Sequence, residues 1–159
     1  MDSTHPKTLR IITVKLPVAI AAILALTFSS TAMSRDTTHL LPIEEAMNTP
    51  DAQQKLDGSI EFYFADESHP RVTQRIPGVV ANRKTNAFMK SDEEACSWVF
   101  LSAMIALQER TQMEGADAVV NITSFYDRQE MASQEEYECH AGAIMAGVAL
   151  KGDVVKFAD

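Results

Sequence analysis

The stretch SDEEACSWVFLSAMIALQERTQMEG, Ser91 to Gly115, decides the fold. Ser91 stands three residues before Glu94 in the spacing of a capping box, and Asp92, Glu93 and Glu94 place negative charge at the positive end of the helix that follows. Gly115 supplies the left-handed stop, so the spacing predicts a helix ending at Met113 or Glu114. From Ala95 to Leu107 only Ser97 and Ser102 interrupt the apolar residues. A helix apolar on all sides is covered on more than one side, by a sheet and by the N-terminal helices or a second subunit.

Outward from this helix the pattern changes to strands. Ala118 to Tyr126 is β-branched and aromatic, a strand by composition. Downstream, Asp127 to Glu135 reads as a polar loop and Tyr137 to Leu150 as one long strand bent at Gly142 or Gly147, with a helix as the alternative. Lys151-Gly152-Asp153 reads as a turn before a last strand, Val154 to Phe157. Upstream, Ser59 to Ala65 alternates, with Ile60, Phe62 and Phe64 on one face. Pro70 and Pro77 mark a loop, Val79 to Arg83 a second strand, and Asn82 to Lys90 an exposed polar segment. Residues 35 to 58 are mostly polar: Pro42 opens a short helix, Thr49-Pro50 caps another that ends near Leu56, and Asp57-Gly58 turns the chain. The expectation is an α+β domain, a small and mostly antiparallel sheet packed against one long buried helix with a short N-terminal helical segment. Its parts are a signal peptide (1–32), the N-terminal helical segment (33–58) and the α+β domain (59–159).

The first residues are an address. Lys7, Arg10 and Lys15 precede the uncharged run Leu16 to Phe28, which is too short for a comfortable bilayer span, and small residues follow. Ser30-Thr31-Ala32 is the expected cleavage site, Ala32-Met33-Ser34 the second choice, and an uncleaved anchor the alternative. The expected location is the periplasm, with no stable membrane span after processing. Against a net charge of −8 for the whole chain, residues 1–32 are positive by two, which leaves −10 on the rest. So acidic a body disfavours nucleic acid as a partner.

The usual catalytic constellations are missing. The sequence has no Gly-Lys-Ser/Thr phosphate loop, no Gly-x-Gly-x-x-Gly, no Gly-x-Ser-x-Gly and no His-Glu-x-x-His. His39, His69 and His140 are the histidines beyond residue 32. Cys139 and His140 are neighbours, but adjacent strand residues point to opposite faces and do not readily share an ion. Glu93-Glu94 reads as a capping turn and Glu135-Glu136 as a solvated loop. Trp98 and Phe100 read as core packing, and Asn121-Ile122-Thr123 carries no functional meaning inside a strand. No catalytic, metal-binding or cofactor-binding residue is assigned. Cys96 and Cys139 are the only cysteines. In an exported protein they are expected to form one disulfide, with two unlinked buried thiols as the rival reading.

Several stretches carry a resemblance. Lys84 to Phe88, Lys90 to Cys96, GADAVVNI from Gly115 to Ile122 and YECHAGAIMAGVALKG from Tyr137 to Gly152 resemble a family of small exported proteins of Gram-negative bacteria labelled "excinuclease ATPase subunit". Leu41-Pro42-Ile43 and Leu56-Asp57-Gly58 extend the likeness over nearly all of the chain beyond the signal peptide. The sequence does not support the ATPase or DNA-repair activity in that label, because it lacks a phosphate loop and a basic surface. The strand beginning Gly-Ala and the later Gly-Val-Ala strand are also distantly similar to the α+β domains of the YbjQ-like group and of the stress-sensing lipoprotein of the Rcs system. The functional expectation is a non-catalytic binding or interaction module of the cell envelope, with an unknown protein or small-molecule partner and a homo-oligomer allowed. The alternatives are a thiol-disulfide redox sensor using Cys96 and Cys139, or a metal-binding protein.

Overall fold

The computed structural model describes residues 35–158. The proposed signal peptide and both candidate cleavage sites lie outside them. The domain is α+β: helices packed against a mixed, mostly antiparallel sheet of six strands. Strand β1 (Asp36–Pro42) leads into the short helices α1 (Ile43–Met47) and α2 (Pro50–Lys55). Then come β2 (Glu61–Phe64), β3 (Val72–Asn86), the long helix α3 (Asp92–Met113), β4 (Ala118–Ser124), β5 (Glu136–Gly142) and β6 (Met145–Phe157).

Helix α3 forms where the sequence placed it. The Ser91 Oγ accepts from the Glu94 amide at 3.1 Å, and Gly115 leaves the helix at φ +62°. Thr49 caps α2 in the same way, accepting from the Ala52 amide at 3.2 Å. The inner face of α3 (Ala95, Cys96, Val99, Phe100, Ala103, Met104, Leu107) is buried on β3, β5 and β6. Phe100 stacks on Tyr137 of β5, with ring centroids 4.1 Å apart.

Strand β6 is the hub. Along one edge it pairs with β3; along the other it pairs with β5 near its start and with β4 further on. Strand β1 lies outside β5, and β2 lies parallel to β4. A smaller cluster covers the far face of the sheet, where Ala118, Val120 and Val155 pack with Tyr63, Val72 and Phe157.

Four expectations are corrected. Residues 36–42 form an edge strand on β5, although their polarity gives no core-facing pattern; pairing to β5 holds them. Strand β3 runs for 15 residues through Pro77 and through the polar segment up to Asn86. Pro77 and Gly78 are accommodated because β3 is an edge strand and its register shifts between Ile76 and Val79. The segment read as one bent strand from Tyr137 is a hairpin: the chain reverses at Ala143-Ile144. Gly142 allows the close pass of β1, since a Cβ there would lie 2.8 Å from the Arg35 carbonyl oxygen. Finally, Lys151-Gly152-Asp153 continues β6 instead of turning. A Cβ at Gly152 would meet Val119 Cγ1 at 2.6 Å, so this glycine serves packing against β4.

Candidate functional site

The two cysteines come together. Cys96 in the second turn of α3 and Cys139 on β5 form a disulfide with Cα atoms 5.8 Å apart, and both residues are fully buried. Strand alternation does the placing: Cys139 points toward α3 and His140 toward the other face. With its sulfur bonded, Cys139 has no thiolate to offer a metal. Burial of both sulfurs also closes the route by which an attacking thiolate would reach them.

The helices leave a groove along the outer side of the first turns of α3. Its main part, about 530 Å³, lies between the start of α2 and the first three turns of α3. The floor is the buried Leu101 and one wall is Trp98, which is 43% exposed. Thr49 and Pro50 form the opposite wall, and Asp51, Glu94 and Lys90 supply charge at the rim. Thr49 and Ser97 also line an adjoining hollow of about 200 Å³ that reaches Glu45, Glu93 and Tyr137. Burial, with a smaller contribution from the Glu45 charge, pushes the Tyr137 hydroxyl well above its usual value, so this ring stays neutral. The rim therefore carries Glu45, Asp51, Glu93 and Glu94 against Lys90.

Trp98 corrects the reading of Trp98 and Phe100 as a packing pair. Phe100 is in the core and Trp98 is not, because two residues along a helix are separated by about 200° of rotation. Glu93 and Glu94 sit in the capped first turn, as read, yet both face the groove. Glu135 and Glu136 are exposed at the start of β5. The sequence signal for this site was weak: one aromatic out of phase with the helix's buried positions.

The histidines are dispersed. His39 Nε2 lies 3.1 Å from an Asp92 carboxylate oxygen that Arg35 also contacts. His69 stacks on Phe157 on the far side of the sheet. His140 lies flat on Tyr126 at 3.6 Å, with Nε2 2.7 Å from Glu138. Its Nδ1 is 3.4 Å from an Asp36 oxygen, within ion-pair distance but without hydrogen-bond geometry. Among the described residues, no three His, Cys, Asp or Glu side chains converge as a metal site. Asn121, inside the triplet read as featureless, occupies a left-handed bulge at φ +54° and donates to Asp153 at 3.0 Å.

Asp153 is the second polar centre. Burial alone would raise its pKa, but hydrogen bonds from the Gly78 amide and Asn121, together with the Arg75 guanidinium, outweigh burial and hold it below the usual carboxylate value. These contacts tie β3, β4 and β6 together where β3 bulges. Compared with models of known protein families, with curated proteins and with solved structures, the chain matches none of them.

Proposed function

We propose that the protein is exported to the periplasm and works there as a non-catalytic binding or interaction module of the cell envelope. The Trp98 groove carries this reading. A half-exposed tryptophan over an apolar floor, beside acidic side chains, has the make-up of a recognition surface: an aromatic anchor for apolar contact and charges that select the partner's sign. Four acids against one lysine favour a segment that is apolar at its centre and cationic at its flanks. The buried disulfide supports the location, since such bonds persist in oxidising compartments. It also favours a structural staple over a redox sensor, because no sulfur is accessible. The family resemblance agrees with export, and nothing in the groove resembles a nucleotide cradle.

Photo-crosslinking in the native host tests the proposal. A photoreactive residue at Ser97, in the groove, is expected to give a discrete adduct. The same residue at Val80, exposed on β3, serves as the control. Equal adduct patterns from the two positions, or none from Ser97, would count against the groove.

A further inference from the structure

The hollow that adjoins the groove ends on a buried phenol. Tyr137 of β5 is only 2% exposed and its ring is stacked on Phe100, yet it lines this hollow of about 200 Å³. A hydroxyl so deeply buried ordinarily has a hydrogen-bond partner. That of Tyr137 has none among the described residues; what acts on it is burial and the charge of Glu45, which lines the same hollow. Thr49 cannot serve it, because its own hydroxyl already donates to the Ala46 carbonyl and accepts from the Ala52 amide. The phenol thus offers an unused oxygen to whatever enters.

The walls say what that is. Glu45 on α1 and Glu93 on α3 are exposed and belong to none of the ion pairs among the described residues. No cation lines the hollow: Lys90 borders only the groove, and Arg35 and His39 of the β1 region both contact Asp92. The positive start of α3 acts only over its first turn and already carries three acids there. Leu41 and Ala46 give the hollow an apolar side, as suits the methylene stem of a long basic side chain. Its volume is below the roughly 300–1,000 Å³ of pockets that enclose whole small molecules, and matches one side-chain end. We infer that this hollow is a pocket for one basic side chain of the segment bound in the Trp98 groove, its ammonium or guanidinium group donating to Glu45, Glu93 and the Tyr137 oxygen. The inference rests on the groove reading and adds to it the residue type that the partner must carry.

NMR titration of the isotope-labelled protein with the acetyl methylamides of lysine, arginine and norleucine tests this. Both basic probes are expected to bind saturably and to shift the amides of Glu45 and Ser97, and their ratio identifies the preferred group. Norleucine, which has the stem without the charge, should bind at least about tenfold more weakly. Glu45→Gln/Glu93→Gln changes only exposed side chains, should fold, and should weaken the better basic probe at least about threefold. Tyr137→Phe keeps the ring on Phe100 and should weaken it about threefold. Asp51→Asn, on the groove rim outside the hollow, should leave the affinity unchanged. Norleucine binding as well as lysine would overturn the inference, as would equal affinity of wild type and the double glutamine variant. Equal affinity of wild type and Tyr137→Phe would also overturn it, because the hydroxyl would then meet only water. The two readings fail separately: a Ser97 adduct without binding of either basic probe keeps the groove and removes the pocket, and probe binding without an adduct does the reverse.

Discussion

The two ends of α3 are held by different means. At the N-terminal end a covalent bond joins Cys96 to β5, while the outward side of the same turns borders the groove. At the C-terminal end polar contacts hold the helix. Gln108 Nε2 donates to the Lys55 carbonyl at 3.1 Å, Gln112 donates to Ser59 Oγ at 2.9 Å, and Thr111 is fully buried. Gln108 and Thr111 turn inward there while Glu109, Arg110, Gln112 and Met113 face solvent, and the hydrogen bonds to Lys55 and Ser59 tie the helix to the segment after α2. The N-terminal turns give up packing on their outer side to the groove, and the disulfide restores the missing constraint. A cross-link that acts mainly on the unfolded chain stabilises without requiring the surface to be covered. In this way a small domain can keep an open groove next to its core.

The largest effect should come from the staple. In the chain-entropy model, the link across a sequence separation of 43 contributes about 4 kcal/mol. Urea unfolding of Cys96→Ala/Cys139→Ala is expected to show a loss of that order, a large share of the total for a domain of this size. Gln108→Ala at the opposite end should cost only about 1 kcal/mol, the net value of one hydrogen bond. Equal losses from the two variants would break the distinction between the ends.

Acid should separate the disulfide from the polar centre of the sheet. Because its folded pKa is depressed, Asp153 contributes stability that is complete above the unfolded carboxylate value, about 3.9. That contribution is lost as pH falls from there through the lower folded value. The disulfide has no titrating group and contributes the same at every pH. The urea midpoint of Asp153→Asn should therefore be lower than wild type at neutral pH, with the gap closing below about pH 4. A gap that stays constant down to pH 2 would remove Asp153 from the account. The smallest effect on stability belongs to Trp98→Ala, within about 1 kcal/mol because the ring is half exposed. If that substitution unfolds the domain, Trp98 is a core residue and the groove is not a free surface.

Much of this fold was legible because its strongest signals are local. Ser91, Glu94 and Gly115 fix the ends of α3 by capping chemistry, and Thr49-Pro50 fixes the start of α2. Two of the misses share a cause: strands held by their neighbours do not need an alternating pattern. Strand β1 and the second half of β3 borrow their register from β5 and β6, so their polar residues concealed them. Gly142 and Gly152 were read as backbone punctuation, but the structure uses both for close approach. The disulfide was expected from compartment and cysteine number. The groove was hidden because the sequence shows that Trp98 is apolar without showing that α2 stops short of covering it.

The staple underlies both the proposed periplasmic location and the contrast between the two ends of α3, and thiol counting on the protein from its native host tests it most directly. The protein is denatured without reductant, alkylated, digested and mapped by mass spectrometry. The account predicts no alkylated cysteine and one cross-linked peptide pair containing Cys96 and Cys139. Two freely alkylated thiols would contradict it.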